Sequence, residues 1–423
     1  MTLRRFREIF KLEFTALSRS RTLIALVLAA CAWVLILPHQ LKSDGTADGA
    51  RELTVSYSLT GVFVLLVVAM VASATASIAR ERAEKRLQLT LIRPVRYFLV
   101  VAGKIAAHAA VAAVVLLAAM AALSPGVDLQ RRSWHVSSPV LPSPREEALA
   151  MYDAFISDPD TGAEIKRAKK SVILRILEQR AFDHYQTVPT NSTVSWAFPA
   201  ADSGDGPLAV RLRFTNQFEM RQDVAGIFRL GTAAGVVSNI TQAVIDVPLA
   251  GADGCRRDGR RQETLTFENL GSSSLMLRPR RDIKLLSQAD EFWKNMVRSY
   301  LEMLAAITLI TSLAMFLSAC LGRPVALFTA MVVLVVSEIS PSVIQQYPDQ
   351  LEADVVDRIG LALTRTAAGI TRPISALSPV EKLAKDECIE TGEVVRATAV
   401  NMFALPALLA LLAAAVMPHK QED

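Results

Sequence analysis

The chain has 423 residues, 52% of them hydrophobic, with a mean hydropathy of +0.32, which is too long for one ordinary domain and too apolar for a wholly soluble one. The net charge is +5, but the basic residues sit beside apolar runs and are not interleaved with aromatics, so they read as orientation signals and lipid-headgroup contacts, not as a nucleic-acid surface. Four Cys without a CxxC spacing and five scattered His exclude a zinc ribbon, a thiol redox motif and a paired-His metal site.

In chain order, Leu3, Phe6, Ile9, Phe10, Phe14 and Leu17 share one helical face, with Arg5, Arg7, Glu8 and Lys11 elsewhere. Residues 1–20 therefore predict an amphipathic helix lying on the inner membrane surface. A first span is expected from Thr22 to about Leu41. Leu28-Ala29-Ala30-Cys31 has the form of a lipoprotein cleavage site, but the apolar run continues to Leu37 and the amphipathic stretch ahead is too long for a signal's basic region. An uncleaved span is the expectation. After the polar loop Lys42 to Arg51, a second span runs from about Tyr57 to Ile78 and a third, rich in Ala, from about Phe98 to Leu123. Ala69, Ser73 and Ser77 recur every four residues, a pattern that lets membrane helices approach closely. Lys104 is expected to snorkel to the inner surface. His108 lies a third of the way into its span, and a hydrogen bond to a neighbouring helix is preferred for it over a transport role.

Between these two spans the chain reads RERAEKRLQLTLIRPVRYFLVVAGK, from Arg80 to Lys104. Basic residues crowded into a short connection mark the cytoplasmic side. Leu87, Leu91 and Val95 recur at helical spacing and Pro94 interrupts the pattern. The stretch is too charged for lipid and too apolar for a free linker, so it predicts a protein partner. It resembles the cytoplasmic coupling segment of ABC-type export permeases of the type-two class. Glu84-Lys85, Leu87 to Ile92, Arg93-Pro94-Val95-Arg96 and Gly103-Lys104 stand where that family has a charged start, a leucine-rich turn, Pro-Val and Gly-Lys. The chain departs from it at Lys85-Arg86, where many relatives have Gly-Thr. The resemblance implies that Glu84, Arg86, Leu87, Leu91, Arg93 and Pro94, within a coupling segment at residues 80–96, engage an ATPase. It also implies that the first helix is an elbow, its Lys11-Leu12-Glu13 matching a frequent Lys-x-Glu.

Residues 124–291 contain no span and are long enough for a core of their own. Arg145 to Phe155 and Gly162 to Tyr185 read as helices. From Thr193 the period changes to two: Val194, Trp196 and Phe198, then Leu208, Val210, Leu212 and Phe214, then Ile245, Val247 and Leu249, then Leu265 and Phe267. Gly, Pro, Asp and Asn clusters separate these runs, which predicts an antiparallel β-sandwich. Trp196 is expected in its core and not as a sugar platform. Asn191-Ser192-Thr193 and Asn239-Ile240-Thr241 fit a glycosylation pattern that matters only in a eukaryotic secretory setting.

Phe292, Trp293 and Tyr300 predict an aromatic belt where the chain returns to the membrane. Spans four and five occupy residues 296–345. Arg298 and Glu302, one turn apart, read as a local ion pair, and Glu338 is preferred at the membrane interface. Residues 349–393 are too polar to cross, and Leu351, Val355, Val356, Ile359 and Leu363 predict a surface hairpin on the outer side. A sixth span follows at residues 396–417, then a tail at 418–423. Members of the family that the coupling segment resembles have a similar outer hairpin before their last span.

The expected fold is mainly α: a six-helix transmembrane domain (spans one to three within residues 22–123) with a large extracytoplasmic insert of helices and an antiparallel β-sandwich. His108, Glu302 and Glu338 are the candidate intramembrane polar positions. Cys255 and Cys388 both fall outside the membrane, where an oxidising compartment permits a bond between them. The sequence carries no GxxxxGK[ST] loop, nucleophile elbow or HExxH, so no catalytic residue, metal or bound cofactor is expected and ATP would be hydrolysed by a partner. The resemblance implies an ABC ATPase subunit and a second permease copy or paralogue as partners, alongside membrane lipid, in the plasma membrane of a bacterium with both termini cytoplasmic. The rival expectation is a membrane-anchored extracytoplasmic binding or assembly module without transport.

Overall fold

The computed structural model describes residues 2–40, 47–83, 96–157, 170–182, 186–199, 207–213, 225–238, 244–250, 262–272, 274–346 and 377–419. They fall into two compact units, one drawn from Met1–Arg131 and from the chain beyond Glu291, the other from Arg132–Asp290.

The first unit is helical. Its elements are α1 (Thr2–Ser18), α2 (Arg21–Gln40), α3 (Ala47–Ala83), α4 (Tyr97–Leu123), α8 (Phe292–Cys320), α9 (Arg323–Gln346), α10 (Leu377–Ala384), α11 (Thr391–Ala397) and α12 (Leu405–His419). A π-helical stretch, Thr398–Ala404, joins the last two. Four helices among the described residues are long and apolar enough to cross a membrane: Gly49–Glu81, Tyr97–Leu123, Phe292–Cys320 and Thr391–Val416. The expected first and fifth spans have shorter apolar helices, Ile24–Leu37 and Arg323–Ser337. Cys31 lies inside the unbroken α2.

α8 is the centre of this unit and packs on α3, α4, α9 and α12. Small and hydroxylated residues let the helices close on one another. Ser318 Oγ donates to Thr75 O on α3 at 2.9 Å, and Tyr300 Oη donates to Ala113 O on α4 at 3.1 Å. Trp33 of α2 donates its indole N–H to Tyr57 O at 3.1 Å, and a Cβ at Gly61 would lie 2.0 Å from that indole nitrogen. Glycine there is what admits the ring. The expected aromatic belt is only partly met: Trp293 is exposed, but Phe292 is buried under the Arg51 guanidinium and Tyr300 turns toward α4.

The described part of the expected surface hairpin does not merely lie on the surface. Val380, Leu383, Ala384 and Ile389 are buried, and α10 packs on α3 and α8. Its apolar residues recur at helical spacing and have a ready partner in the apolar faces of the long helices. Residues 349–376, with the amphipathic pattern from Leu351 to Leu363, lie outside the described residues, as does Cys255.

The second unit opens with β1 (Arg132–Ser137), α5 (Pro144–Ser157) and α6 (Lys170–Phe182). Ser143 and Glu146 cap α5 reciprocally: Glu146 N–H donates to Ser143 Oγ and Ser143 N–H to Glu146 Oε2. Strands β2 (Gln186–Val188), β3 (Thr193–Pro199), β4 (Leu208–Arg213), β5 (Ala225–Leu230), β6 (Ala233–Ser238), β7 (Val244–Leu249), β8 (Gln262–Asn269) and β9 (Leu275–Leu277) follow, then the short α7 (Pro279–Asp282) and β10 (Ile283–Glu291). Two four-stranded sheets run β1-β10-β4-β7 and β3-β8-β5-β6, with β2 paired to β9. Every pairing with a defined register is antiparallel. Residues from both four-stranded sheets, among them Phe198, Phe228, Phe267, Val210, Leu212 and Leu285, share one apolar core. Trp196 is in that core, 3% exposed, with its indole N–H on Gln186 Oε1 at 2.7 Å.

The chain leaves and re-enters the helical unit at neighbouring points. Phe292 N–H donates to Arg131 O at 2.7 Å and Trp293 N–H to Leu129 O at 3.3 Å.

Candidate functional site

The expected coupling residues Glu84, Arg86, Leu87, Leu91, Arg93 and Pro94 lie outside the described residues. What is described is how that segment is flanked. α3 carries the chain to Ala83, and α4 starts at Tyr97 after Arg96, whose extended backbone (φ −71°, ψ 132°) stops the helix from running backwards.

A buried ion cluster sits between these flanks and the first helix. Lys104, on α4, places its Nζ 2.9 Å from Glu13 Oε2 on α1, 2.9 Å from Glu81 Oε1 in the last turn of α3, and 2.6 Å from Ser77 Oγ on α3. Ser77 Oγ in turn donates to Glu13 Oε1 at 2.6 Å. The Lys104 side chain is 3% exposed and the Glu13 side chain 10%. An ammonium so far from water is tolerated only when carboxylates and hydroxyls replace its hydration shell. Burial pushes the Glu13 carboxyl up, but the Lys104 ammonium and the hydrogen bonds from Ser77 and Lys104 outweigh it and hold that carboxyl below its ordinary value.

The approach of α1 to α4 that makes the cluster depends on Gly103. A Cβ there would lie 2.9 Å from Ile9 Cγ2 and 3.6 Å from the Phe10 nitrogen. The apolar face of α1 supplies the rest: Phe10 and Phe14 stack at 5.8 Å and pack with Leu17 against the helical core.

Lys104 therefore does not snorkel. Two carboxylates from other helices meet it within the protein and leave its side chain 3% exposed. His108 hydrogen-bonds within its own helix and not to a neighbouring one. Its Nδ1 lies 2.9 Å from Lys104 O, so Nδ1 carries the proton, and Nε2 is buried with no hydrogen-bond partner among the described residues.

A second polar cluster gathers where α3, α8 and α10 meet. Asp386, in a left-handed conformation (φ 57°), binds Arg51 and lies 2.9 Å from Arg131 Nε. Asn295 of α8 fixes the next residues from both sides, donating to Glu387 O at 2.7 Å and accepting from Ile389 N–H at 2.8 Å. Arg298 Nη1 donates to Cys388 Sγ at 3.3 Å. Glu302 is half-buried within electrostatic reach of Lys382 and Glu393. Lys382 pairs with Glu393 at 2.8 Å. Burial pulls the Lys382 ammonium down, and the bond to Glu393 with the charges of Glu393, Glu302 and Glu390 more than reverses this, leaving it above the ordinary lysine value. Glu338 falls within α9.

The structure thus joins Glu13, Ser77, Glu81 and Lys104, and separately Arg51, Arg131 and Asp386; it does not bring His108 and Glu302 into one site. Sequence reasoning missed Glu81 and Asp386. One signal was available: a lone Lys inside an apolar run requires a carboxylate, and Glu13 and Glu81 each border such a run.

Residues 9–127 match the family model described as ABC-2 family transporter protein. Comparison with curated proteins and with solved structures found no match. That matched stretch carries the whole Lys104 cluster, and the match supports an ABC-2 type permease.

Proposed function

We propose that the chain is the membrane permease subunit of an ATP-driven exporter that works with a separate ABC ATPase subunit and pairs with a second permease copy or paralogue. The family match over residues 9–127 carries this reading. In it, α2, α3, α4, α8, α9 and the last helix are six spans, and both termini and residues 84–95 face the cytoplasm of a bacterium. The second unit is an extracytoplasmic insert with a β-sandwich. Charge asymmetry supports the orientation: the basic residues of the short connections and Lys420 of the tail fall on one side, and the Arg residues of the long insert do not count, because long loops translocate regardless of charge. ATP drives transport only if nucleotide state biases two conformations of the permease differently. The segment around Leu87 and Leu91 is the lever, with apolar anchors for binding and Arg86 and Arg93 for register.

The test is co-purification with an ATPase encoded beside it. Leu87→Asp with Leu91→Asp should abolish assembly and permease-dependent ATP turnover while leaving membrane insertion intact. Assembly and turnover at parental levels in that variant would reduce the segment to a topology signal. Loss of function confined to changes in the second unit would favour an anchored binding module.

A further inference from the structure

We propose that Lys104, Glu13 and Glu81 form a clamp that makes α1 and the adjoining ends of α3 and α4 one moving body. The inference deepens the transporter reading and rests on it for the meaning of the motion, though not for the clamp itself.

One ammonium is shared by three helices. Its two carboxylate contacts of 2.9 Å come from α1 and α3, and the Ser77 hydroxyl bridges the same two elements. Glu81 stands in the last turn of α3, just before residues 84–95, and Lys104 stands soon after them on α4. The connection between the two spans is thus tied across its base, and the same tie holds the first helix. Lys104 is the only formally charged residue of α4, so nothing else on that helix can take its place. Without it, Glu13 and Glu81 would lose the cation they share among the described residues, inside a site where the Glu13 side chain is 10% exposed. Like charges in so little water repel, and α1, whose Ile9 and Phe10 rest directly over Gly103, is the element free to leave. A displacement imposed on residues 84–95 consequently reaches α1, α3 and α4 together and not one span at a time.

Gly103 also supplies the probe. The position its Cβ would take is 3.3 Å from Ile9 Cβ, near the spacing of about 3.5–4.5 Å that a disulfide spans, and replacing Ile9 removes the methyl that crowds it. The experiment uses the full chain in phospholipid vesicles, with the four natural Cys changed to Ala and the pair Ile9→Cys, Gly103→Cys introduced. Under mild oxidation the pair should close rapidly. With Lys104→Met added it should close at least about tenfold more slowly, as expected for breaking a buried pair. In the neutral set Glu13→Gln, Glu81→Gln, Lys104→Met the parental rate should return. If Lys104→Met does not reach the membrane, Glu13→Gln carries the same comparison, with slower closure than the parent.

The second arm adds the neighbouring ATPase. The locked protein should keep its effect on ATP turnover, Lys104→Met should lose it, and locking Lys104→Met should restore it. Closure at the parental rate in both Lys104→Met and Glu13→Gln would overturn the clamp. Loss of the effect on locking an otherwise unaltered pair, reversed by reduction, would also overturn it, since α1 would then have to separate from α4. If the unlocked parent leaves ATP turnover unchanged, the transporter reading fails, and the closure rates still decide whether the clamp exists.

Discussion

Glu13 and Lys104 are 91 residues apart in the chain and meet at 2.9 Å, with Ser77 bridging both. An amphipathic helix held only by its apolar face can slide or rotate over its support. A buried charge pair fixes one register, because any shift leaves an uncompensated ion in a water-poor site. The pair also constrains α4, whose Gly103 must lie under Ile9 for the charges to meet.

The Glu13 carboxyl, depressed by Lys104 and Ser77 against the effect of burial, contributes docking stability that is fully present above its ordinary value and is lost as pH falls through the depressed one. The groups facing it are Lys104, Glu81 and His108. Closure of the Ile9→Cys, Gly103→Cys pair, divided by that of a control Cys pair within one helix to cancel the loss of thiolate, should therefore hold steady from neutral pH down to about pH 4.5 and slow only below it. Glu13→Gln should remove that acid-side decline.

Asp386 pairs with both Arg51 and Arg131, and its side chain is 3% exposed. Asp386→Ala should destabilise the helical unit by about 3–5 kcal/mol, because it takes the carboxylate from the Arg51 guanidinium, whose side chain is only 11% exposed. Asp386→Asn should cost less, since Asn tolerates the left-handed conformation and keeps a hydrogen-bond acceptor. Thermal unfolding in detergent, with both variants beside the parent, ranks them.

Phe228 is fully buried and stacks on Phe267 at 4.5 Å. Phe228→Ala should cost the second unit about 3–5 kcal/mol. Limited proteolysis should show new cleavage within residues 132–290, while the yield of co-purified ATPase stays at the parental level. A fall in that yield would count against the separation of roles between the two units.

Single Cys labels should place Arg86 and the tail after His419 on the cytoplasmic side, with Asp202 and Lys382 on the opposite side. Labelling of Asp202→Cys from the cytoplasm would invert the topology.

The helical unit was legible in the sequence wherever a period survives. The stripe from Leu3 to Leu17 became α1, and the long apolar runs became α3, α4 and α8. The strand alternation at Trp196 and Phe198, and at Val247 and Leu249, became the buried faces of β3 and β7. β10 escaped because it does not alternate: Leu285, Leu286 and Ser287 are buried in succession where the strand runs between β1 and β4. β5 escaped because Gly226 interrupts its pattern, although that glycine is required, its Cβ position lying 2.4 Å from the Phe267 ring. The pairing of Glu13 with Lys104, or of Asp386 with Arg51, has no local signature. Each partner is an ordinary charged residue near an apolar run, and only the packing of distant helices selects which charges meet.

The two hydrogen bonds from Phe292 and Trp293 to Arg131 and Leu129 make the second unit a detour whose two ends lie side by side. A chain that departs and comes back at the same place has no geometric need of what lies between. A two-residue turn after Arg131, leading straight into Glu291, could close the gap without moving α4 or α8, and a foreign domain with neighbouring termini could be spliced there instead. The helical bundle is in this sense a socket, and lineages could exchange what is plugged into it without redesigning the part that spans the membrane.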